Sequence, residues 1–137
     1  MLKKFFLSFA LVLTALMMTS CDSGEGSVSG YVNISIEDAY EQWKQGGSAE
    51  PPIMFVDVRT RMEYEDGHIP GAVNIPIQTL ANRLDEVPKD KRLYVYCESG
   101  VRSTNASKYL VEVGYTNAIN VNASMAGWRD AQYPIEK

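Results

Sequence analysis

Cysteine and histidine are almost missing from this sequence. Its 137 residues contain one histidine, His68, and two cysteines, Cys21 and Cys97. A four-ligand structural zinc site is therefore excluded on ligand count, and no metal or other cofactor is expected. A C-x-x-C dithiol centre is excluded as well. Positive charge is not in surplus: 13 Lys and Arg face 17 Asp and Glu, for a net charge of -4. No basic cluster lies beyond the N-terminus, so the chain has no electrostatic footprint for nucleic acid. The one long apolar run, "FFLSFALVLTALMM", is too short to cross a bilayer comfortably. No internal repeat or low-complexity run follows residue 30. What remains is 45% hydrophobic and 22% charged, an ordinary globular composition on a length that suits one domain, expected to act as a monomer.

The first residues read as an export signal. "MLKK" is a basic n-region, the apolar run follows, and "TSC" brings small residues up to Cys21. This resembles a bacterial lipoprotein signal, although Met18 stands where the pattern prefers Leu. The resemblance implies a signal peptide over residues 1–20, lipid on Cys21 and a membrane anchor in the bacterial cell envelope, facing the periplasm. The alternative is a plain secretory signal with Cys21 unmodified. Residues 21–30 are Gly/Ser-rich and acidic, a flexible tether, and residues 31–137 form the domain. Loss of Lys3 and Lys4 with the signal takes the basic residues from 13 to 11 and the net charge to -6.

A lipidated Cys21 leaves Cys97 without a partner in an oxidising compartment, so it is a free thiol to explain. Strand and helix patterns alternate around it. "YVNIS", "IMFVDV", "AVNI", "RLYVYC" and "NAINV" read as strands. Helical spacing appears at Ile36, Ala39, Tyr40 and Trp43, at Ile77, Leu80, Ala81 and Leu84, and at Ala106, Tyr109, Leu110 and Val113. Ser35 with Asp38 is a candidate capping box, Gly114 a helix stop, and "SMAGWRDAQ" a closing helix with Trp128 in the core. Residues 59–72 read as a loop with one helical turn. The alternation predicts an α/β fold with a parallel sheet covered by helices on both faces. In such sheets ligands bind beyond the carboxyl ends of strands, where Asp57 and Cys97 fall.

Cys97 also faces a helix start. Unpaired N–H groups there, and the helix dipole, favour a thiolate, which is the nucleophilic form. Gly100 permits a tight loop, Ser99, Ser103 and Thr104 offer hydroxyls, and Arg102 adds a positive charge. The segment is an anion cradle with a nucleophile at its base. Phosphatase-like esterases use Cys-x5-Arg to hold a tetrahedral phosphate. Here Cys97 to Arg102 is Cys-x4-Arg, which suits a smaller guest such as one sulfur atom.

"CESGVRS" resembles the active-site loop of rhodanese-domain sulfurtransferases, C-R-x-G-x-R-[ST]. "VDVRTRMEYEDGHIPGAVNIP" is similar to that family's other signature, and "MAGW" to its closing segment. The resemblance covers residues 31–135 and implies a rhodanese-like fold with a central five-stranded parallel sheet. It implies a ping-pong reaction in which Cys97 takes a sulfane sulfur from thiosulfate, a persulfide or a polysulfide and passes it to a thiol or cyanide. Glu98, Ser99, Gly100, Val101, Arg102 and Ser103 would then surround the persulfide, with Asp57 and Arg59 supporting the loop. A non-catalytic or persulfide-sensing module is the alternative. Glu98 departs from the family, which commonly has Arg or Lys there; a rim carboxylate repels the thiosulfate dianion and slows its use. His68 is either a general base for Cys97 or, preferably, a residue that orders the "EYEDGHIPGA" loop.

Overall fold

A computed structural model describes residues 30–137. Cys21 and the whole proposed signal lie outside those residues. Five strands form one sheet: β1 (Val32–Ile34), β2 (Ile53–Asp57), β3 (Val73–Asn74), β4 (Arg92–Tyr96) and β5 (Ala118–Val121). Their order is β1-β5-β4-β2-β3, every pairing is parallel, and β4 is central. Among the described residues no helix is long and apolar enough to cross a membrane.

Strand side chains alternate between faces, so the inner strands β2, β4 and β5 feed two cores. On one face Leu93, Val95 and Cys97 pack with Val56, Val58, Ala106 and Leu110. On the other Tyr94 and Tyr96 pack with Phe55, Ile36, Met125 and Trp128. The first face is covered by α3 (Val101–Glu112), the second by α1 (Ile36–Gln45) and α4 (Ser124–Asp130). Cys97 thus extends the buried face of the central strand toward the start of α3.

The helix ends follow local chemistry. Ser35 caps α1 by accepting the Asp38 N–H at 3.1 Å. The reciprocal capping box forms one α-helix later, at α2 (Arg61–Asp66): Thr60 Oγ1 accepts the Glu63 N–H, and Glu63 accepts the Thr60 N–H at 2.9 Å. Residues 77–84 correct the sequence expectation of a helix. They form 3-10 turns at Leu80–Asn82 and Leu84–Glu86. The N–H groups here bond three residues back, Thr79 to Pro76 at 2.9 Å and Asn82 to Thr79 and Arg83 to Leu80 at 3.0 Å, so the segment winds more tightly than an α-helix.

The second core centres on Trp128, which is fully buried. Its Nε1 donates to the Pro134 carbonyl at 2.7 Å, and Tyr40, Trp43, Phe55 and Tyr133 meet its ring edge to face. Within the entry turn of α4, a Cβ on Gly127 would stand 2.7 Å from Ala123 Cβ, which leaves no room for a side chain there. Trp128→Ala is expected to lower the unfolding free energy by about 3–5 kcal/mol, read from the midpoint of urea denaturation.

Candidate active site

Cys97 is the first residue after β4, and only Glu98 to Gly100 separate it from α3. Gly100 makes the turn with φ 101°, a left-handed conformation that suits glycine. The turn points the Gly100 N–H at Cys97 Sγ, 3.1 Å away. Ser103 Oγ lies 3.5 Å from the sulfur and Ser124 Oγ 3.9 Å. The thiol is 1% exposed. Burial pushes it up, but the Ser103 hydroxyl and N–H, the Gly100 N–H and the Ser124 hydroxyl outweigh burial and bring it below its ordinary value. The arrangement is an enclosed thiol biased toward thiolate, with donors on one side and a strand end behind.

Ser124 was not singled out from sequence. It arrives from the start of α4, where Ala123 and Ser124 hold φ of 59° and 48°. Such angles cost a non-glycine residue about 1–3 kcal/mol and persist when their surroundings fix them. Here the Met125 and Ala126 N–H groups donate to the Cys97 and Glu98 carbonyls at 3.0 Å, and Ser124 Oγ accepts the Cys97 N–H at 3.2 Å. No glycine marks the position, so the sequence carries no local signal for it.

The charges around the loop come in pairs. Arg59, 2% exposed, brackets Asp57, with Nη2 2.6 Å from its carboxylate, and also donates to the Gly67 carbonyl at 2.8 Å. Its Nη1 reaches Glu98 at 3.4 Å. Arg102 donates twice to Glu63, at 2.7 and 2.8 Å, and so ties α3 to α2. The free positive charge expected from Arg102 at the cradle is therefore answered by Glu63. Glu98 likewise is not a bare carboxylate, since Arg129 of α4 pairs with it. Val101 opens α3 with its side chain 68% exposed, away from the enclosed sulfur. Ser99 sits in the turn and, with Gly100, Val101 and Thr104, borders a hollow of about 390 Å³. A second cleft of about 450 Å³ is bordered by Arg59, Glu98, Met125 and Arg129.

His68 makes no hydrogen bond to Cys97. Its Nδ1 meets the Tyr64 carbonyl at 2.8 Å, its ring stacks on Tyr64 at 3.6 Å, and its backbone pairs with Glu136. That is the loop-ordering placement. Among the described residues no group of His, Cys, Asp and Glu is arranged to hold a metal.

The chain that carries this turn has known relatives. A family model described as a rhodanese-like domain matches residues 35–131. The chain belongs to the rhodanese family. A sulfurtransferase of Allochromatium vinosum is 36% identical over 83 residues, covering 61% of this chain and 78% of that protein. A putative sulfur carrier protein of Bacillus subtilis is 35% identical over 92 residues, 67% of this chain; the match spans only 50% of that longer relative. The crystal structure of a rhodanese-related protein from Thermoplasma volcanium superposes with a TM-score of 0.69 at 30% identity, covering 77% of this chain and 98% of the other.

Two outcomes test this rhodanese site. Ser124→Ala removes a hydroxyl beside the sulfur, so the pH at which the ultraviolet absorbance of the Cys97 thiolate appears is expected to move upward. The Arg102 guanidinium beside Glu63, with help from Thr60, holds the Glu63 carboxyl at about 2, below its ordinary 4.5. A depressed carboxyl stabilises the fold above pH 4.5 and loses that contribution as pH falls through about 2. Arg102→Ala is thus expected to cost ~1 kcal/mol at neutral pH, a modest figure because both side chains are about a third exposed. The gap to wild type narrows below pH 4.5 and closes near pH 2 in urea unfolding measured across that range.

Proposed function

We propose that this rhodanese-family chain is a sulfurtransferase that carries sulfane sulfur on Cys97. The observation that supports it is the enclosed thiol, brought below its ordinary pKa by the Ser103, Gly100 and Ser124 donors at the C-terminal end of the central strand. In the first half-reaction the Cys97 thiolate attacks the outer sulfur of a donor such as thiosulfate, a persulfide or a polysulfide. A new bond forms to Sγ, the donor's S–S bond breaks, and its electron pair leaves with sulfite or the donor thiolate. In the second half-reaction a thiol or cyanide attacks the outer sulfur of the persulfide, and the pair returns to Sγ. Gly100, Ser103 and Ser124 stabilise negative charge on sulfur throughout, and Asp57 and Arg59 hold the turn from beneath.

Anchoring through a lipid on Cys21, a periplasm-facing location and action as a monomer belong to the same proposal. The sulfur names of the relatives favour it, as does the short loop, whose Cys-x4-Arg spacing leaves less room than a phosphate needs. The near-complete burial of Cys97 favours a second reading, a non-catalytic or persulfide-sensing module. Intact-mass measurement separates the two. The wild type is expected to gain one sulfur atom after exposure to thiosulfate or polysulfide, and to lose it to cyanide. Cys97→Ser is expected to gain none. No gain on the wild type with either donor supports the non-catalytic module.

A further inference from the structure

β2 is paired along its whole length on one side and along only part of it on the other. Against β4 the register runs from Ile53 to Asp57, but against β3 it covers only Val56 and Asp57. In a parallel ladder, successive residues of a strand turn their N–H and C=O groups to opposite edges. The Pro52 carbonyl and the Val58 N–H bond to β4, so Ile53, Phe55 and Asp57 face the other way. There β3 reaches only Asp57 and the Phe55 carbonyl. The Ile53 N–H and C=O and the Phe55 N–H have no partner among the described residues. Phe55 is 4% exposed, and an unpaired N–H on so buried a residue is rare and costly.

These groups open into a cleft of about 670 Å³, the scale of a ligand site. Trp43 borders it from the layer of the second core. Asp85 and Pro88, beside Leu84 and Val87 of the first core, border it from the opposite layer. The cleft therefore lies in the plane of the sheet, where a further strand would lie. Pro52 and Lys91 border it at the amino ends of β2 and β4, so it stands at the opposite end of the sheet from Cys97.

A row of backbone donors and an acceptor is matched by another extended backbone. A helix has already bonded its own groups, and an apolar small molecule would leave these three unpaired. The rim adds charge. Glu86 is held by Arg83, while Asp85 and Lys91 form no ion pair among the described residues. We propose that this slot binds an extended segment of a partner protein as an added strand, with apolar side chains toward Trp43 and a basic and an acidic side chain placed for Asp85 and Lys91. The inference does not rest on sulfur transfer.

The full-length protein is titrated with the acetylated and amidated peptide KVEVK, and backbone amide exchange is followed residue by residue by NMR. The peptide alternates charged and apolar side chains, as the slot requires. At saturation the Ile53 and Phe55 amides are expected to exchange about fivefold more slowly or better. The same peptide with every backbone nitrogen methylated is expected to have no effect. Ile53→Pro removes one outward N–H without touching the ladder to β4, and proline is tolerated at a sheet edge. It is expected to weaken peptide binding about fivefold. Asp85→Asn, which alters no backbone group, is expected to weaken it about threefold, with the difference fading at high salt. No protection by the peptide would overturn the proposal. So would equal protection by the methylated form, which would make the cleft an apolar small-molecule pocket. Protection that rises with protein concentration alone would place a second copy in the slot and also overturn it.

Discussion

The fold is organised around a thiol that must be both enclosed and ionisable. Burial alone disfavours the thiolate, because a charge in a low-dielectric interior loses its hydration. Cys97 is held against that tendency by groups that no single element supplies. Gly100 contributes a turn N–H, Ser103 the first turn of α3, and Ser124 the entry to α4. The parallel sheet brings them together: the central strand delivers the cysteine, and the strands on each side deliver the flanking segments. Displacing any one of these elements removes one of the groups that offset burial.

The arginines near the site do a different task. Each is matched to a carboxylate: Arg59 to Asp57, Arg102 to Glu63, Arg129 to Glu98. Pairing cancels most of their long-range field, so oriented dipoles, rather than net positive charge, favour the thiolate. The pairs instead fix geometry. Arg59 joins the end of β2 to the Gly67 carbonyl, and Arg102 joins α2 to α3. The Asn74 side chain donates to the Asp57 and Arg59 carbonyls at 3.0 and 2.9 Å, which sets the strand end beneath the turn. This division suits a site whose guest is a polarisable sulfur atom rather than a multiply charged oxyanion.

Much of this was readable from residue patterns, and the exceptions have physical reasons. All five strands were readable, most clearly β2 and β4, because a strand buried on both faces leaves a dense apolar signature; the edge strands β1 and β3 are short and more exposed. Helical spacing found α1 and α3, whose buried stripes match it. The same spacing misled at residues 77–84, where bonds to the carbonyl three residues back, rather than four, make tight turns that periodicity does not distinguish from an α-helix. Cys97 and its turn were visible because glycine, cysteine and hydroxyl residues cluster within seven positions. Ser124 was not, since its role depends on left-handed backbone angles that alanine and serine do not announce. The charge pairs were hidden for another reason. Glu63 lies 39 positions from Arg102 and Glu98 lies 31 from Arg129, so only the folded chain shows which charges are spent.

Enclosure also limits what can react. A thiol that is 1% exposed cannot approach the centre of a bulky or tetrahedral electrophile without parting the turn from α4. The Met125 and Ala126 hydrogen bonds to the Cys97 and Glu98 carbonyls resist that separation. An electrophile that presents one terminal atom needs no such opening. The outer sulfur of a sulfane donor is such an atom, and once transferred it sits about 2.05 Å beyond Sγ, nearer the mouth of the cradle. Transfer thus carries the reactive centre outward by one bond. Under the proposed transfer, the buried thiolate is shielded from oxidants, while the sulfur it would carry is the part of the site an acceptor can reach.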